Sequence, residues 1–271
     1  MDGPRTATPL HVPRPGGPWH GMREDLARYG NAVAYTTWGE WLPGVLAHPG
    51  LHQVLGRDWA RYRRTSDAVV RHRFAVSRLL IKHMAASALG TTSQSLDLAY
   101  GLGGRPYLRG LDQLGLSLSH SGDLVAVGLS RIGRIGVDVE HADRAIRLDL
   151  VRSQILTGDE TAALDLLPEA DRGAHALRLW TLKEAYVKAL GQGRRLRFNE
   201  FGFGLGDGRL RTPDGRPASR GDWGFATSAV LGGRYLISVA CQDEGLDPAG
   251  DIFVRTMLDQ DFLSAMAQQT A

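Results

Sequence analysis

The amino-acid sequence points to an α+β fold made of two similar halves with antiparallel sheets. Three observations carry that expectation. Apolar residues keep helical spacing over two long stretches, 58–89 and 174–190. From Leu114 the period switches to two, with Leu114, Leu116 and Leu118 alternating with Gly115, Ser117 and Ser119. The strand-like runs are parted by short Gly/Asp turns rather than by helices, so they read as an antiparallel meander and not as βαβ units. With 271 residues the chain has room for one large or two small domains.

Taken in order, residues 1–30 hold five of the twelve prolines (Pro4, Pro9, Pro13, Pro15, Pro18) and no apolar period. They are expected to be a disordered lead-in, with order setting in between Met22 and Ala32. Val33 to Trp38 reads as a first strand. Asp58 to Leu89 reads as one long helix, in which Val70, Phe74, Ile81 and Met84 keep the spacing and Gly90 ends it. Arg71, Arg78 and Lys82 share one face of that helix, either as a solvated stripe or as an anion contact.

Ser121-Gly122-Asp123 turns the chain into a second strand, Leu124 to Ser130, and Ile132-Gly133-Arg134 into a third, Ile135 to Glu140. Thr157-Gly158-Asp159-Glu160 fits a capping box, opening a helix that runs to about Leu167 and is broken by Pro168. Another helix runs from about Ala174 to Leu190 and stops at Gly191. Phe198 to Leu205, Trp223 to Val230 and Tyr235 to Cys241 are strand-like, with hairpin turns at Asp207-Gly208 and Gly232-Gly233. The expected organisation is a lead-in (1–30), an N-terminal half (31–133), a C-terminal half (134–245) and a tail (246–271).

A net charge of +3 suits an anionic ligand or an acidic partner. The positive charge is dispersed and no aromatic stacking run accompanies it, so no nucleic-acid partner is expected. No apolar run approaches the roughly 18 residues of a membrane span, and no apolar stretch follows a basic start as in a secretory signal. A cytoplasmic protein without a membrane partner is expected. Cys241, the single cysteine, excludes an internal disulfide and an all-cysteine zinc site, and reads as a core thiol.

Two segments carry the chemistry. In Gly136-Val137-Asp138-Val139-Glu140 the valines share one face of a strand and the carboxylates the other. Taken alone, an acidic edge strand is the commoner explanation. In Trp180-Thr181-Leu182-Lys183-Glu184-Ala185-Tyr186-Val187-Lys188, the residues Trp180, Glu184 and Lys188 stand at i, i+4 and i+8 and line one stripe of a helix. Taken alone, this is as well read as a surface ion pair beside a core tryptophan. Together the segments supply three carboxylates and an ammonium, a hard oxygen set that suits Mg²⁺ shared with substrate phosphates. Zinc is disfavoured, because no paired histidine spacing accompanies the acids. Ser119-His120-Ser121 lacks the elbow of a Ser/His hydrolase and is better placed to hydrogen-bond a phosphate, although taken alone a turn histidine without a ligand explains it as well. Arg105 in Gly104-Arg105-Pro106 reads as well with as without a role as a further anion contact, and the segment lacks the sequence of a P-loop.

In that order, Gly104-Arg105-Pro106, Ser119-His120-Ser121, Gly136-Val137-Asp138-Val139-Glu140 and Trp180-x-x-Lys183-Glu184-Ala185-x-x-Lys188 resemble the 4′-phosphopantetheinyl transferase superfamily. The resemblance spans roughly residues 33–242 and is to its long, monomeric, surfactin-synthetase-activating kind. It implies a fold of two pseudo-twofold-related α/β halves, with a metal site at their junction. It also implies an enzyme that uses coenzyme A and Mg²⁺ to load a serine of an acyl- or peptidyl-carrier protein, releasing adenosine 3′,5′-bisphosphate. On this resemblance Asp138, Glu140 and Glu184 hold the metal, Lys188 stabilises the region of the attacked phosphate, and Glu184 is the base. Ser119, His120 and Lys183 face the coenzyme phosphates, Arg105 the 3′-phosphate side, and Arg63 and Arg71 match basic positions around the first helix. A coenzyme A or carrier-binding module without transfer activity is the alternative. Leu156 to Leu179, and above all the turn at Pro168 to Gly173, is the candidate surface for docking a carrier.

Overall fold

The computed structural model of the protein describes residues 4–218 and 221–245. The N-terminal part runs β1 (Leu10–His11), α1 (His20–Tyr29), β2 (Asn31–Thr37), α2 (Trp38–Leu46), α3 (Leu51–Leu55), α4 (Trp59–Arg64), α5 (Ala68–Leu89), β3 (Leu98–Tyr100), β4 (Pro106–Leu108), β5 (Gly115–Ser121) and β6 (Leu124–Ser130). It is followed by β7 (Ile135–His141), α6 (Leu148–Ile155), α7 (Gly158–Asp165), α8 (Glu169–Leu190), β8 (Gly202–Phe203), β9 (Leu210–Arg211), β10 (Trp223–Val230) and β11 (Tyr235–Gln242). A mixed α+β architecture with antiparallel sheets results, and no helix among the described residues is long and apolar enough to cross a membrane.

Two sheets organise it, β1-β2-β6-β5 and β10-β11-β7. Side-chain parity stacks the layers. Ala32 and Ala34 of β2, with Val125, Val127 and Leu129 of β6, face the 22-residue helix α5. The opposite parity, Val33, Tyr35, Leu124 and Ala126, packs against Ile135, Val137, Val139, Ile237 and Val239 of the second sheet. The far face of that sheet meets α8, also 22 residues, through Ala185, Ala189 and Ala240. The order is therefore helix, sheet, sheet, helix, the arrangement that buries both faces of each sheet.

The approach of α8 to β7 depends on small residues. A Cβ on Gly136 would lie 1.9 Å from the Ala185 carbonyl oxygen and 2.5 Å from the Ala189 nitrogen. Only glycine admits helix backbone that close. Gly191 then caps α8 in the left-handed conformation, φ 68°.

The structure corrects several expectations. Described residues of the lead-in are ordered: β1 pairs in parallel with β2, and Ala7 and Val12 are buried. Asn31 accepts a hydrogen bond from the Ala7 amide (2.9 Å) and donates to the Arg5 carbonyl (2.8 Å), so a proline-rich strand without its own period is held by distant partners. The meander fails at its third strand. β5 and β6 pair, but β7 leaves for the second sheet and pairs with β11. The 58–89 helix is interrupted after Arg64, and α5 restarts where the Asp67 carboxylate accepts from the Val70 amide. α8 begins at Glu169, directly after Pro168, rather than near Ala174. The 198–205 segment is a 3₁₀ turn (Phe198–Glu200) followed by the two-residue β8. The capping box at Thr157 and Glu160 and the Gly90 stop are as expected. Residues 246–271, the tail, lie outside the described residues.

One histidine ties stability to pH. His83 of α5 packs edge-on to Trp41 (5.8 Å), with its Nε2 buried and without a hydrogen-bond partner. Burial first, and His48 second, pull its pKa from 6.5 to about 4. The unfolded chain titrates near 6.5, so it binds the extra proton between about pH 6.5 and 4, and stability falls as pH falls through that window. A loss of up to about 3 kcal/mol is expected by pH 4. Denaturant titrations at pH 7.5 and 5 check it, with His83→Leu removing the histidine's share of the difference.

Candidate functional site

The site forms where the edge strand of one sheet meets the edge strand of the other. β5 and β7 do not share a backbone ladder. Alternate serines of β5 bridge them instead: Ser117 Oγ accepts from the Val137 amide (2.9 Å) and Ser119 Oγ from the Val139 amide (3.2 Å). Ser117 and Ser119 make up the face of β5 opposite its leucines. That face is the seam, because a short hydroxyl can satisfy a neighbouring amide where two sheets part. On β7, Val137 and Val139 point into the core between the sheets, which turns Asp138 and Glu140 toward α8.

α8 presents Glu184 and Lys188 to those acids. Lys188 Nζ donates to Asp138 Oδ1 (2.7 Å) and to Ser119 Oγ (2.9 Å), and Ser119 Oγ donates to the same carboxylate oxygen (3.0 Å). Asp138 is almost fully buried, and its Oδ2 has no hydrogen-bond partner. Glu140 accepts from Ser121 Oγ through Oε2 (3.4 Å) and from Arg144 through Oε1. Burial raises the Glu184 carboxyl above its ordinary range, and the charges of Asp138 and Glu140 push the same way against Lys188 and Arg144. His120 stands at the exposed rim. Desolvation, then the positive charges of Arg73 and Lys188, lower its proton affinity, so its ring is neutral near pH 7. A cavity of about 180 Å³ beside Lys188 is lined by Gly104, Arg105, Pro106, Ser117 and Leu118 among others, which places the Gly-Arg-Pro segment next to the seam.

The structure thus brings Asp138, Glu140, Glu184, Lys188, Ser119 and His120 together. It does not bring Lys183 to them. That ammonium is wholly buried and donates to Glu160 Oε2 (2.6 Å) and to the carbonyls of Ile155, Phe198 and Phe201 (2.7–2.8 Å). Four acceptors consume its three protons, so the expected phosphate contact is replaced by a structural hub. Arg105 is also committed: its guanidinium donates to the carbonyls of Ala189 (3.0 Å), Leu116 (3.3 Å) and Ile135 (3.5 Å), tying β5, β7 and the end of α8 together. Arg63 and Arg71 lie over the rings of Trp59 and Tyr62 around α4 and α5. Arg73, two residues on, is the first of the cations that lower the proton affinity of His120, and it donates to the Gly122 carbonyl (3.4 Å). Arg78 and Lys82 are not a solvated stripe. Arg78 stacks on Phe74 and pairs with Asp58 (3.4 Å), and Lys82 is buried against the Val54 carbonyl. Sequence reasoning missed Arg73, Ser117 and Arg144. Arg73 and Ser117 were open to periodicity, whereas Arg144 sits on a turn where spacing says nothing.

Residues 134–240 match the family model of the 4′-phosphopantetheinyl transferase superfamily. That span contains both β7 and α8. A putative 4′-phosphopantetheinyl transferase of Synechocystis sp. is 31% identical over 151 residues, 54% of this chain and 60% of that protein. The 4′-phosphopantetheinyl transferase psf-1 of Bacillus pumilus is 28% identical over 158 residues, covering 57% of this chain and 65% of the relative. The transferase AcpT of Escherichia coli is 31% identical over 121 residues, 45% of this chain and 58% of AcpT. The chain thus spans between half and two thirds of the length of these relatives.

Proposed function

We propose that this chain moves the 4′-phosphopantetheine arm of coenzyme A onto a serine of an acyl- or peptidyl-carrier protein, releasing adenosine 3′,5′-bisphosphate. The observation that carries the reading is the meeting of Asp138 and Glu140 with Glu184 and Lys188 at the seam, inside the stretch that matches the superfamily. The names of the relatives, each a phosphopantetheinyl transferase, support it.

The acids fit a hard divalent cation such as Mg²⁺. Their donors are all oxygen, and Asp138 Oδ2 is a buried oxygen lacking a partner. Among the described residues no three acidic or imidazole groups stand ready around one point; Lys188 holds an oxygen of Asp138 and Arg144 one of Glu140. Asp138, Glu140 and Glu184 would be its ligands. Once bound, it would neutralise the coenzyme diphosphate and stabilise charge developing on it.

The chain's own groups do the rest. Lys188, on rigid helix, donates toward the bridging oxygen of the diphosphate. His120, neutral, donates a hydrogen bond to a phosphate oxygen, with Arg73 behind it, while Ser119 keeps its one proton on Asp138 and holds Lys188 in place. The carrier serine Oγ attacks the β-phosphorus as the bond to the bridging oxygen breaks. Its proton passes to the Glu184 carboxylate, whose raised proton affinity suits a base. Carrier domains present an acidic helix beside their serine, which a basic enzyme steers. The α7–α8 turn, where Leu166 is 88% exposed, offers the carrier an apolar contact. Asp165, Glu169 and Asp171 flank it, so the steering charge comes from elsewhere on the molecule. Glu169 to Gly173, expected as part of a docking turn, are the first turn of α8.

The long, monomeric architecture follows as part of the same reading. α5 with the first sheet and α8 with the second form two related halves, 31–133 and 134–245, so one chain builds the junction. The test is incubation with coenzyme A, Mg²⁺ and unmodified carrier domains, read by intact mass. A covalent gain of the phosphopantetheine arm is expected, and no gain on any of several carriers would end the reading.

A further inference from the structure

Two of the three acids at the seam already hold a resident cation, and the two cations are mounted differently. Lys188 projects from α8, whose backbone is pressed against Gly136. Arg144 sits on the turn between β7 and α6, its side chain nearly half exposed, and takes Oε1 of Glu140. Its guanidinium carbon also lies 5.4 Å from the centre of the Trp180 ring, on α8 one turn before Glu184. The face of a guanidinium stacks while its edge donates hydrogen bonds. Arg144 can therefore stay on Trp180 while exchanging a carboxylate for a phosphate. The Glu140 oxygen that accepts from Arg144 cannot ligate an ion in full while it does so.

We propose that Arg144 is a displaceable counter-cation of the acid site: it holds Glu140 while no metal is bound, yields that carboxylate to the ion, and closes on the coenzyme diphosphate while remaining stacked on Trp180. This rests on the reading that the acids take a divalent cation beside a diphosphate, and it adds how loading is ordered. A bare ion binds weakly because it competes with the arginine for the Glu140 carboxylate. With coenzyme A present, the arginine has a new anion to hold, and the same ion binds more tightly. Linkage makes the effect reciprocal, so the ion tightens coenzyme A by the same factor.

Removing the arginine then moves two affinities in opposite directions, which damage to the site would not do. Mn²⁺ binding to the full chain, followed by the paramagnetic signal of the free ion, reads this without carrier and hence without turnover. For Arg144→Gln, Mn²⁺ alone is expected to bind roughly three- to tenfold tighter, the strengthening by coenzyme A to fall to within about twofold, and coenzyme A alone to bind more weakly. Arg144→Lys keeps a charge without the fork, and is expected to return the weak binding of bare Mn²⁺ with only part of the coupling. Unchanged or weaker Mn²⁺ binding by Arg144→Gln overturns the proposal. So does full retention of the coenzyme effect, or a wild-type chain that takes up no Mn²⁺ even with coenzyme A. A wild-type chain that shows the coupling but loads no carrier would refute the transfer reading and leave this one standing.

Discussion

Asp138→Asn is expected to lower the rate of carrier loading by roughly 10³-fold while leaving the fold intact. The amide matches the carboxylate in shape, and its oxygen can still accept from Ser119 Oγ, so the bridge across the seam survives. What disappears is the charge. Lys188 keeps that oxygen as an acceptor at 2.7 Å but loses its counter-charge, and with its side chain 31% exposed water can solvate it. The cost to stability is therefore small, of the order of 1 kcal/mol. The cost to function is large because the buried oxygen without a partner, Oδ2, belongs to this same carboxylate. Initial rates by intact mass, with a thermal melt as control, give the answer. A rate within tenfold of wild type in a folded variant would remove Asp138 from the machinery.

What the sequence reveals about such a site depends on how local the physics is. The valine/acid alternation of 137–140 places Asp138 and Glu140 on one face whatever sheet receives the strand, because side-chain parity is intrinsic to the extended backbone. The line through Trp180, Glu184 and Lys188 is likewise intrinsic to a helix. The destination of β7 is not. Joining β11, more than ninety residues away, rather than β6 next door is decided by the apolar packing of both sheets, which no window of sequence contains. The lead-in was misread for the same reason, since Asn31 and Trp41 hold it from far along the chain. Arg105 was given an anion because its charge is visible, while the three carbonyls it serves come from separate elements. Lys183 is different. Five residues from Lys188, it lies about 140° around the helix from it, and about 100° from Glu184. The helical geometry that grouped Glu184 with Lys188 already set Lys183 apart. Only family resemblance had put it on the phosphates.

That correction carries a large effect on stability. Lys183→Met is expected to destabilise the protein by about 3–5 kcal/mol. Methionine fills a similar volume, so the loss comes from the partners left behind: Glu160, 1% exposed, and the carbonyls of Ile155, Phe198 and Phe201. Burial already pulls the Lys183 ammonium below its ordinary proton affinity, and the Glu160 carboxylate is what opposes that pull. Glu160 in turn accepts from the amides of Thr157 (2.8 Å) and Phe203 (2.8 Å), so it fixes the start of α7 and the position of β8. Stripped of its counter-charge it must take up a proton or admit water, and either loosens α6, α7 and β8 from α8. For a chain of this size the midpoint of thermal unfolding should drop by roughly 10 °C. Lys183→Met combined with Glu160→Gln should recover part of the loss, because no buried charge is then left alone. A residue serving the coenzyme phosphates would behave in the opposite way, raising the KM for coenzyme A with little change in the melt. If Lys183→Met did that, the buried hub would be wrong as the account of this lysine. If the melt falls and the folded fraction still loads carriers with near-normal KM, the lysine next to Glu184 is there to hold the helix in place.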